Sequence, residues 1–391
     1  MKILIDARLY GLEHSGIGRY LINLIKEISK IDEENNYILL LRKKYFQVKS
    51  DRFLNKDLLK LPKNWKKVLA DFRHYSFQEQ IYLPKILRAE NPDLVHFPHF
   101  NIPFFCKERF VVTIHDITMH KQGISATNLP TLFYLFKRLP YKLIFRKAVK
   151  DSVKIITPSK SVKKELVENF NLNKDKVVQI YEGYDPTYLK AKTGKKFDYE
   201  LKGDYFIYTG NAYPHKNLKR VIKAVSNLNE KFVKRASFVI VGSKDIFSKR
   251  IEKWVREENA GKFVRFLGFV SDEELVSLYQ NSIGFIYPSL SEGFGLQGLE
   301  AMAAGTLVLA SNIPTFKEVY KGNALYFNPN DFYSIEGAMK DALGMEKGKR
   351  IELIKKSQKF IKKYSWEKMA KQTLDIYNVL SDYPRPVRTQ I

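Results

Sequence analysis

The sequence has little that would place the protein in an oxidising compartment or within a membrane. It contains one cysteine, Cys106, so no internal disulfide can form and a reducing compartment is favoured. No run of about 18 uninterrupted apolar residues occurs, so no transmembrane helix is predicted. The first residues, MKILIDARLYG, include Asp6 and Arg8, which indicates a short buried strand rather than a secretion signal. We therefore expect a cytoplasmic protein, either free or peripheral at the inner face of the cell membrane.

The sequence also lacks a D-x-D pair or another cluster of metal-binding carboxylates, and it has no internal repeat or low-complexity block. No metal site is therefore expected. Basic residues, in contrast, are abundant, because 67 Lys and Arg against 42 Asp and Glu give a net charge of +25. They are partly clustered, with 11 basic and 3 acidic residues over 42–73, and 6 basic and no acidic residues over 137–150.

Three explanations compete for this positive charge: nucleic acid as a partner, an anionic membrane surface as a partner, or a merely solvated face. No zinc-ligand spacing or aromatic RNP-like strand accompanies the basic clusters, so nucleic acid is not expected. The apolar segments 97–105 (FPHFNIPFF) and 132–136 (LFYLF) are neighbours of the basic run from Lys137. Such a face suits shallow docking on an anionic bilayer. A core helix with solvated lysines explains the same residues, and both interpretations remain open.

Alternating strand and helix patterns divide the chain into two domains. A chain of 391 residues is too long for one ordinary core. Short apolar runs alternate with helical patterns such as Tyr20–Ile31, which predicts two doubly wound parallel sheets. A lysine-rich stretch over 185–203 interrupts the alternation, so we expect domains over 1–190 and 191–365 and a helix over 366–391 that packs back on the first domain. Open parallel sheets bind ligands beyond the carboxyl ends of their strands, so a cleft between the two sheets is the expected site.

The predicted strands fall into two sets, one in each domain. The first set is Lys2–Asp6, Tyr37–Leu41, Leu94–Phe97, Val111–His115, Lys154–Thr157 and Val177–Ile180. The second set is Tyr205–Thr209, Ser237–Val241, Phe263–Phe266, Ile283–Ile286, Leu307–Leu309 and Leu325–Phe327. Two helix starts are also indicated, because Ser271 and Glu274 have the spacing of a capping box and Ser159 has the position of an N-cap.

The most informative segment covers residues 287–305, YPSLSEGFGLQGLEAMAAG, between a predicted strand and a predicted helix. Gly293 and Gly295 allow a tight turn and the close approach of a ligand to the backbone. The amides that begin the helix favour an anion such as a phosphate. Glu292 and Glu300 are suited to accept hydrogen bonds from the paired hydroxyls of a ribose or a hexose. An ordinary loop with a surface glutamate and a glutamate favoured by the helix dipole explains the same residues.

This segment resembles the signature of family 4 of the retaining glycosyltransferases, in which two glutamates separated by seven residues stand in an EGFGLPxLEAMACG frame. Gln297 replaces the usual proline, Ala304 the usual cysteine, and Leu307 the proline that often follows. The resemblance implies the GT-B fold, an α/β architecture with two Rossmann-like doubly wound domains facing a central cleft. It also implies that Glu292 binds the donor hexose and Glu300 the ribose. The donor contacts that it implies within the loop are Gly293, Phe294, Gly295 and Leu296.

Two further landmarks of the family lie in the first half of the chain. Gly16-Ile-Gly-Arg-Tyr20 is a glycine turn that opens a helix, and the resemblance places Gly16 and Gly18 near the donor phosphates and Arg19 near the acceptor. His115 stands at the carboxyl end of a predicted strand, where a side chain is placed for a ligand. The family has a histidine here that hydrogen-bonds the donor hexose, with Asp116 as an acceptor contact. A plain turn and a structural histidine are the alternatives.

The second half holds two more landmarks. Residues 210–217, GNAYPHKN, form a glycine-bounded loop with a lysine, which is a phosphate-binding arrangement. The resemblance implies that Lys216 holds the diphosphate, whereas Asn211 and His215 stand where the family often has arginine. The backbone at Phe269 and Val270 is expected to contact the nucleobase.

The resemblance implies a retaining, metal-independent hexosyltransferase in which His115, Lys216 and Glu292 are catalytic. The nucleoside-diphosphate sugar is a substrate, so no cofactor is expected. GDP-mannose is the leading donor and a UDP-sugar the next, and the acceptor is a glycan or lipid-linked glycan in surface polysaccharide synthesis. A sugar-nucleotide epimerase of the same fold, which should lack the Glu292 and Glu300 frame, remains an alternative. A basic nucleic-acid or scaffold-binding protein also remains, although it leaves the phosphate loops unexplained.

Overall fold

The computed structural model describes residues 1–47, 56–121, 131–190, 199, 201, 203–232, 235–242 and 248–381. The chain forms two compact units, Met1–Gly183 with Ser365–Ile391, and Tyr184–Tyr364. The last helix therefore belongs to the first unit. The side chains of residues 131–137 lie outside the described part, as do residues 48–55, so the apolar segment 132–136 and part of the basic cluster over 42–73 have no side-chain description.

The first unit is built on a parallel sheet of seven strands with the order β3-β2-β1-β4-β5-β6-β7. Its strands are β1 (Lys2–Asp6), β2 (Asn36–Leu41), β3 (Trp65–Leu69), β4 (Leu94–Phe97), β5 (Phe110–Thr113), β6 (Lys154–Thr157) and β7 (Val177–Gln179). Its helices are α1 (Ser15–Ile31), α2 (Lys43–Phe46), α3 (Lys56–Leu59), α4 (Phe77–Glu90), α5 (Thr118–Lys121), α6 (Thr131–Asp151), α7 (Lys160–Phe170) and, from the end of the chain, α16 (Trp366–Ser381).

The second unit repeats this plan with a parallel sheet of six strands in the order β10-β9-β8-β11-β12-β13. Its strands are β8 (Asp204–Thr209), β9 (Ala236–Val241), β10 (Val264–Gly268), β11 (Gly284–Tyr287), β12 (Val308–Ser311) and β13 (Leu325–Phe327). Its helices are α8 (Thr187–Lys190), α9 (Leu218–Lys231), α10 (Ser248–Glu257), α11 (Asp272–Gln280), α12 (Leu296–Ala304), α13 (Pro314–Tyr320), α14 (Phe332–Gly344) and α15 (Lys347–Ile361).

In both sheets the strand order reverses once, between β1 and β4 in the first unit and between β8 and β11 in the second. Beyond the carboxyl ends of the strands at such a reversal, the connections diverge to opposite faces of the sheet and leave a crevice. The loops after β1, β4, β8 and β11 are therefore the positions where the fold itself favours a ligand.

The helices cover the sheets with periodic apolar faces. Helix α1 buries Leu21, Leu24, Ile25 and Ile28, which are spaced by three or four residues and so lie on one side of the helix. It begins at Ser15, earlier than the apolar pattern over Tyr20–Ile31 indicated, because two of its first four residues are the poor helix formers Gly16 and Gly18.

The predicted helix starts in α7 and α11 are confirmed. The Ser159 hydroxyl accepts a hydrogen bond from the Val162 amide at the start of α7. Ser271 and Glu274 form a reciprocal capping box at the start of α11. Each cap satisfies backbone donors that the first turn of a helix otherwise leaves unpaired.

Strand β3 was not predicted, because Lys66 and Lys67 interrupt its apolar pattern. It lies at the edge of the sheet, where two lysines can reach solvent, and Trp65 stacks on Tyr37 of β2 with ring centroids 4.2 Å apart. No helix among the described residues is long and apolar enough to cross a membrane.

Candidate active site

The loops after β8 and β11 in the second unit bring a lysine and a glutamate together. The Lys216 Nζ atom lies 2.5 Å from Glu292 Oε1, and the side chains are 12% and 13% exposed. The Ser289 hydroxyl also donates to Glu292 Oε1, at 2.6 Å. Two residues that the sequence placed in separate loops therefore form one half-buried ion pair at the strand-order reversal. A charge-assisted bond of this kind is short and fixes both side chains.

Asn217 joins three loops at the carboxyl edge of this sheet by hydrogen bonds. Its side-chain Nδ2 donates to the carbonyls of Pro288, at 3.0 Å, and Pro329, at 2.8 Å, so it joins the loops after β8, β11 and β13. Its backbone is left-handed, with φ of 61°, a conformation that asparagine tolerates better than most residues. The Leu290 amide adds a bond to the His215 carbonyl at 2.8 Å. Lys216 and Glu292 are thus held on loops that are bonded to each other.

Gly295 is the N-cap of helix α12 and has a left-handed conformation with φ of 101°. A Cβ atom there would lie 2.3 Å from the Tyr320 hydroxyl, which donates a 2.5 Å bond to the Gly295 carbonyl. The position therefore requires glycine for both its φ value and its space. Burial, and next the Glu292 carboxylate, raise the pKa of Tyr320 far above its usual range, so this hydroxyl remains a neutral donor.

The carboxyl edge of the sheet in the first unit holds His115. Its Nδ1 atom lies 3.1 Å from Glu182 Oε1, and its Nε2 atom lies 3.1 Å from the Pro98 carbonyl oxygen. The Tyr20 ring contacts the imidazole edge-on, with centroids 4.9 Å apart. These two contacts, one at each ring nitrogen, fix the orientation of the imidazole.

Comparison with known proteins identifies the family. The family model described as glycosyl transferases group 1 matches residues 191–363, and the model of glycosyltransferase family 4 matches residues 14–188. The O-antigen chain mannosyltransferase RfbU of Salmonella typhimurium is 30% identical over 271 residues, which cover 68% of this chain and 69% of that protein. The chain belongs to glycosyltransferase family 4.

This glycosyltransferase is similar over its whole length to a second relative. The O-antigen chain mannosyltransferase B of Escherichia coli is 28% identical over 398 residues, covering 97% of this chain and 100% of that protein. Among solved structures, Anabaena HepE in complex with UDP and glucose matches with a TM-score of 0.71 at 15% identity, covering 97% of this chain and 100% of that chain. The two doubly wound domains have the GT-B fold, as the sequence predicted.

Several predicted donor contacts of the glycosyltransferase have buried side chains. Phe294 packs edge-on against Tyr364, with ring centroids 5.6 Å apart, and Leu296 and Glu300 are also buried. The side chains of Phe294 and Leu296 are thus turned away from solvent in the segment that leads into α12, a helix whose N-terminal end favours an anion. Glu300 is the central residue of α12, the fifth of nine.

The loop after β8 carries the other predicted donor residues. Asn211 is half-buried, and its Oδ1 atom is buried without a hydrogen-bond partner among the described residues. His215 is half-buried and stacks on Tyr213, with ring centroids 5.9 Å apart. Beyond β10, Phe269 is 84% exposed while Val270 is buried. The Phe269 ring therefore faces solvent at the carboxyl edge of the sheet.

In the first unit, the two glycines of the GIGRY segment differ in their surroundings. A Cβ atom on Gly18 would lie 1.8 Å from the Gly11 carbonyl oxygen, whereas a Cβ atom on Gly16 would meet nothing within 4 Å. Gly18 is therefore required for packing within the unit, while Gly16 leaves the exposed start of α1 open. Arg19 is half-buried on the same turn. Asp116 is exposed and accepts a hydrogen bond from the Thr118 amide at 2.8 Å, closing a local turn.

Glu182 is the main residue that the sequence did not single out. It is buried, follows β7, and reaches His115 from two strands away in the sheet. Its signal was a carboxylate in YEG directly after a predicted strand, the same position that identified His115. A single acidic residue at a strand end is too common to point to a site without the strand order.

Proposed function

We propose that the enzyme transfers a hexose with retention from a nucleoside-diphosphate sugar to a glycan or lipid-linked glycan acceptor in surface polysaccharide synthesis. GDP-mannose is the leading donor and a UDP-sugar the next. The names of the two relatives, both O-antigen chain mannosyltransferases, support the mannosyl donor and the polysaccharide product. The UDP and glucose held by the Anabaena enzyme support a nucleotide sugar in this fold. The observation that carries the proposal is the Lys216–Glu292 pair.

The pair matches the two chemical features of such a donor. A nucleoside-diphosphate sugar has an anionic diphosphate next to a ring of hydroxyls. Lys216 supplies the cation for the diphosphate, and Glu292 supplies the acceptor for hexose hydroxyls. Without a donor each side chain satisfies the other, so the pair keeps both charges neutralised. Donor binding replaces the Lys216–Glu292 contact with two charge-assisted contacts, one between Lys216 and the diphosphate and one between Glu292 and a hexose hydroxyl.

The proposed chemistry is the departure of the nucleoside diphosphate with attack by the acceptor on the same face of the hexose. Negative charge grows on the leaving phosphate while the hexose becomes cationic. Lys216 and the amides around Gly295 provide fixed positive electrostatics at that phosphate, so the reaction needs no metal ion. Glu292, already bonded to Ser289, orients the hexose and offsets its positive charge.

His115 has a complementary role in the proposal. Its ring is oriented by Glu182 and by the Pro98 carbonyl, so it is rigid before substrate binds. In the proposal the Nε2 atom exchanges its contact with the Pro98 carbonyl for one with a hexose hydroxyl, which fixes the sugar near its reacting centre. Glu182 then acts as a positioning residue, because it acts through His115.

A peripheral position on the inner face of the cell membrane is part of the proposal, because a lipid-linked acceptor lies there. Phe105 is 74% exposed beside Phe104, and the Lys147 Nζ atom lies 5.8 Å from the Phe104 ring. Leu139 and Leu143 of α6 are also exposed. Exposed apolar groups next to cations suit an anionic interface. Flotation with anionic and neutral liposomes tests this part, and equal binding to both would leave the lysines merely solvated. The change Phe105→Glu should abolish flotation, while Tyr333→Glu, at an exposed position of the second unit, should not.

The function is tested with a panel of GDP- and UDP-sugars and a glycan acceptor, followed by mass spectrometry and by NMR of the new glycosidic bond. A product one hexose heavier, with the anomeric configuration of the donor, is expected. A donor isomerised without an acceptor would instead indicate the epimerase. A thermal shift with an oligonucleotide but with neither GDP nor UDP at millimolar concentration would contradict both enzymes.

A further inference from the structure

A second group of polar side chains lies at the carboxyl edge of the first sheet, at the reversal of strand order between β1 and β4. Arg8 follows β1, and His99 and Asn101 follow β4. Tyr75 precedes helix α4, and Glu79 lies in its first turn. Ligands of open parallel sheets bind at this type of reversal, yet none of these five residues has a role in donor binding as described above.

The centre of the group is a buried ionic network. The Arg8 Nη2 atom lies 2.6 Å from Asp6 Oδ2 and 2.7 Å from Glu79 Oε1, and the Arg8 side chain has no exposed surface. The Asn101 Nδ2 atom donates to Glu79 Oε1 at 2.8 Å. Three connections, those after β1, β3 and β4, are therefore bonded to one another beneath the surface. Breaking a buried ion pair is strongly destabilising, so the network holds Arg8 and its two carboxylate partners in place.

Two atoms of this network remain unsatisfied. Arg8 Nη1 and Asn101 Oδ1 are buried and have no hydrogen-bond partner within the described part of the chain. A buried donor or acceptor without a partner is costly. Arg8 Nη1 is thus a spare donor and Asn101 Oδ1 a spare acceptor, each able to bond a further small polar group such as a hydroxyl or a water.

Glu79 also fixes the residue that the network presents to solvent. Its Oε2 atom accepts a hydrogen bond from the Tyr75 amide at 2.7 Å. Tyr75 has φ of 60°, an unfavourable backbone for a bulky residue, and its side chain is 58% exposed. Strained backbone persists only where the surroundings hold it, and it concentrates at functional positions. The result is an exposed aromatic ring on a rigid support.

His99 stands next to that ring. Its Nδ1 atom accepts from the Asn101 amide at 3.3 Å and lies 3.5 Å from the Tyr75 hydroxyl, so the neutral imidazole carries its hydrogen on Nε2. Burial lowers the pKa of both His99 and its neighbour His74, so both rings are uncharged at neutral pH. Neutral imidazoles suit hydroxyls, whereas a phosphate or carboxylate would favour imidazolium.

We infer that Tyr75 and His99, supported by the Arg8–Glu79–Asn101 network, form a subsite for an uncharged hexopyranosyl residue of the acceptor. The Tyr75 ring stacks on the apolar face of the sugar, and the His99 Nε2–H group donates to a hydroxyl. This assignment rests on the proposed function, because it takes the ligand to be the acceptor of that reaction.

The test uses the full chain and methyl α-glycopyranosides of mannose, glucose and galactose, with binding measured by saturation-transfer NMR titration. At least one glycoside is expected to bind in the millimolar range, and Tyr75→Ala should weaken it at least ~10-fold, whereas Tyr75→Phe should not. The matched control is Tyr82→Ala, which removes another exposed tyrosine, on α4, and should leave binding unchanged. Mannose 6-phosphate is the charged comparison and should bind no better than the methyl glycoside.

Three results would overturn the subsite: no glycoside bound at ~100 mM, unchanged binding in a folded Tyr75→Ala variant, or tighter binding of mannose 6-phosphate. GDP and UDP binding, measured on the same variants, separates this outcome from failure of the proposed function. Absence of nucleotide binding in the unaltered chain contradicts the proposed function, whereas loss of glycoside binding with nucleotide binding retained contradicts the subsite alone.

Discussion

The hydroxyl of Tyr377, on α16, lies 2.5 Å from the Nδ1 atom of His96, on β4. His96 Nε2 lies 2.8 Å from the Thr113 hydroxyl of β5, which lies 3.1 Å from the hydroxyl of Tyr20 on α1. These four side chains form a hydrogen-bonded circuit that begins on α16 and ends on α1. All of these side chains are buried, and the circuit joins the last helix of the chain to two strands and the first helix.

The direction of the hydrogen bonds follows from Tyr377. Among the described residues its hydroxyl has no acceptor other than His96 Nδ1, so it donates there. His96 Nε2–H then donates to the Thr113 hydroxyl, and Thr113 donates to the Tyr20 hydroxyl. The Tyr20 ring contacts His115, so this circuit also braces the candidate catalytic histidine.

The change Tyr377→Phe should destabilise the protein by about 1–3 kcal/mol, because it leaves buried His96 Nδ1 without its donor. The measurement is the midpoint of urea unfolding, followed by circular dichroism. Tyr333→Phe is the control, because the Tyr333 ring is exposed and should lose nothing. Equal midpoints for the two variants would show that the circuit contributes no stability.

His96 should make stability fall at acidic pH. Burial lowers its pKa to about 3, from 6.5 in the unfolded chain, so the unfolded state binds more protons between these values. Stability is therefore complete above pH 6.5 and is lost as pH falls toward 3, by on the order of 2 kcal/mol between pH 6.5 and 5. His96→Gln should make this dependence shallower in unfolding measured over that range, while His74 and His99 keep their own contributions. An identical slope in both proteins would contradict the assignment.

Lys216→Ala and Glu292→Ala should each reduce turnover at least ~10²-fold, the scale of losing one group that stabilises the transition state. Lys216→Ala should lower affinity for the nucleoside diphosphate, whereas Glu292→Ala should leave that affinity largely intact, because its partner is the hexose. Isothermal titration with GDP and UDP separates the two effects from steady-state rates.

Lys219→Ala is the matched control for this pair. Lys219 forms an exposed ion pair with Glu257 at 3.1 Å, on the same helix–loop region but at the surface, where such pairs contribute little. The turnover of the Lys219→Ala variant should equal that of the unaltered enzyme. Near-normal rates in both Lys216→Ala and Glu292→Ala would remove the roles assigned to the pair.

The strands and the donor loops could be predicted from the sequence because their signals are local. Apolar runs of four to six residues placed β1, β4 and β6 at their observed bounds. Lys216 and Glu292 were recognised from glycine-rich loops that follow strands. Their direct contact depends on β8 and β11 being neighbours, which is a property of strand order and has no local signal.

The networks in the first unit depend even more on long-range placement. Glu79 and Arg8 are separated by 71 positions in the sequence, and His96 and Tyr377 by 281. From the sequence alone, a polar residue on a helix or strand is as consistent with contact with solvent as with a hydrogen bond to a buried partner. Phe294 and Phe269 both follow a glycine, yet the Phe294 ring is buried and the Phe269 ring is exposed. The local sequence does not distinguish the two.

The two glycines of α1 offer a final prediction that separates packing from ligand approach. Gly18→Ala places a Cβ 1.8 Å from the Gly11 carbonyl oxygen, so the backbone must shift, and a loss of about 1–3 kcal/mol of stability is expected. Gly16→Ala meets no atom within 4 Å and lies in the first turn of a helix, where alanine is favoured, so its stability should be equal or higher. If the donor phosphates approach Gly16, its added methyl group should raise the KM for the donor in a fully stable protein. Urea unfolding and donor kinetics on both variants test this, and a normal donor KM in Gly16→Ala would place the phosphates elsewhere.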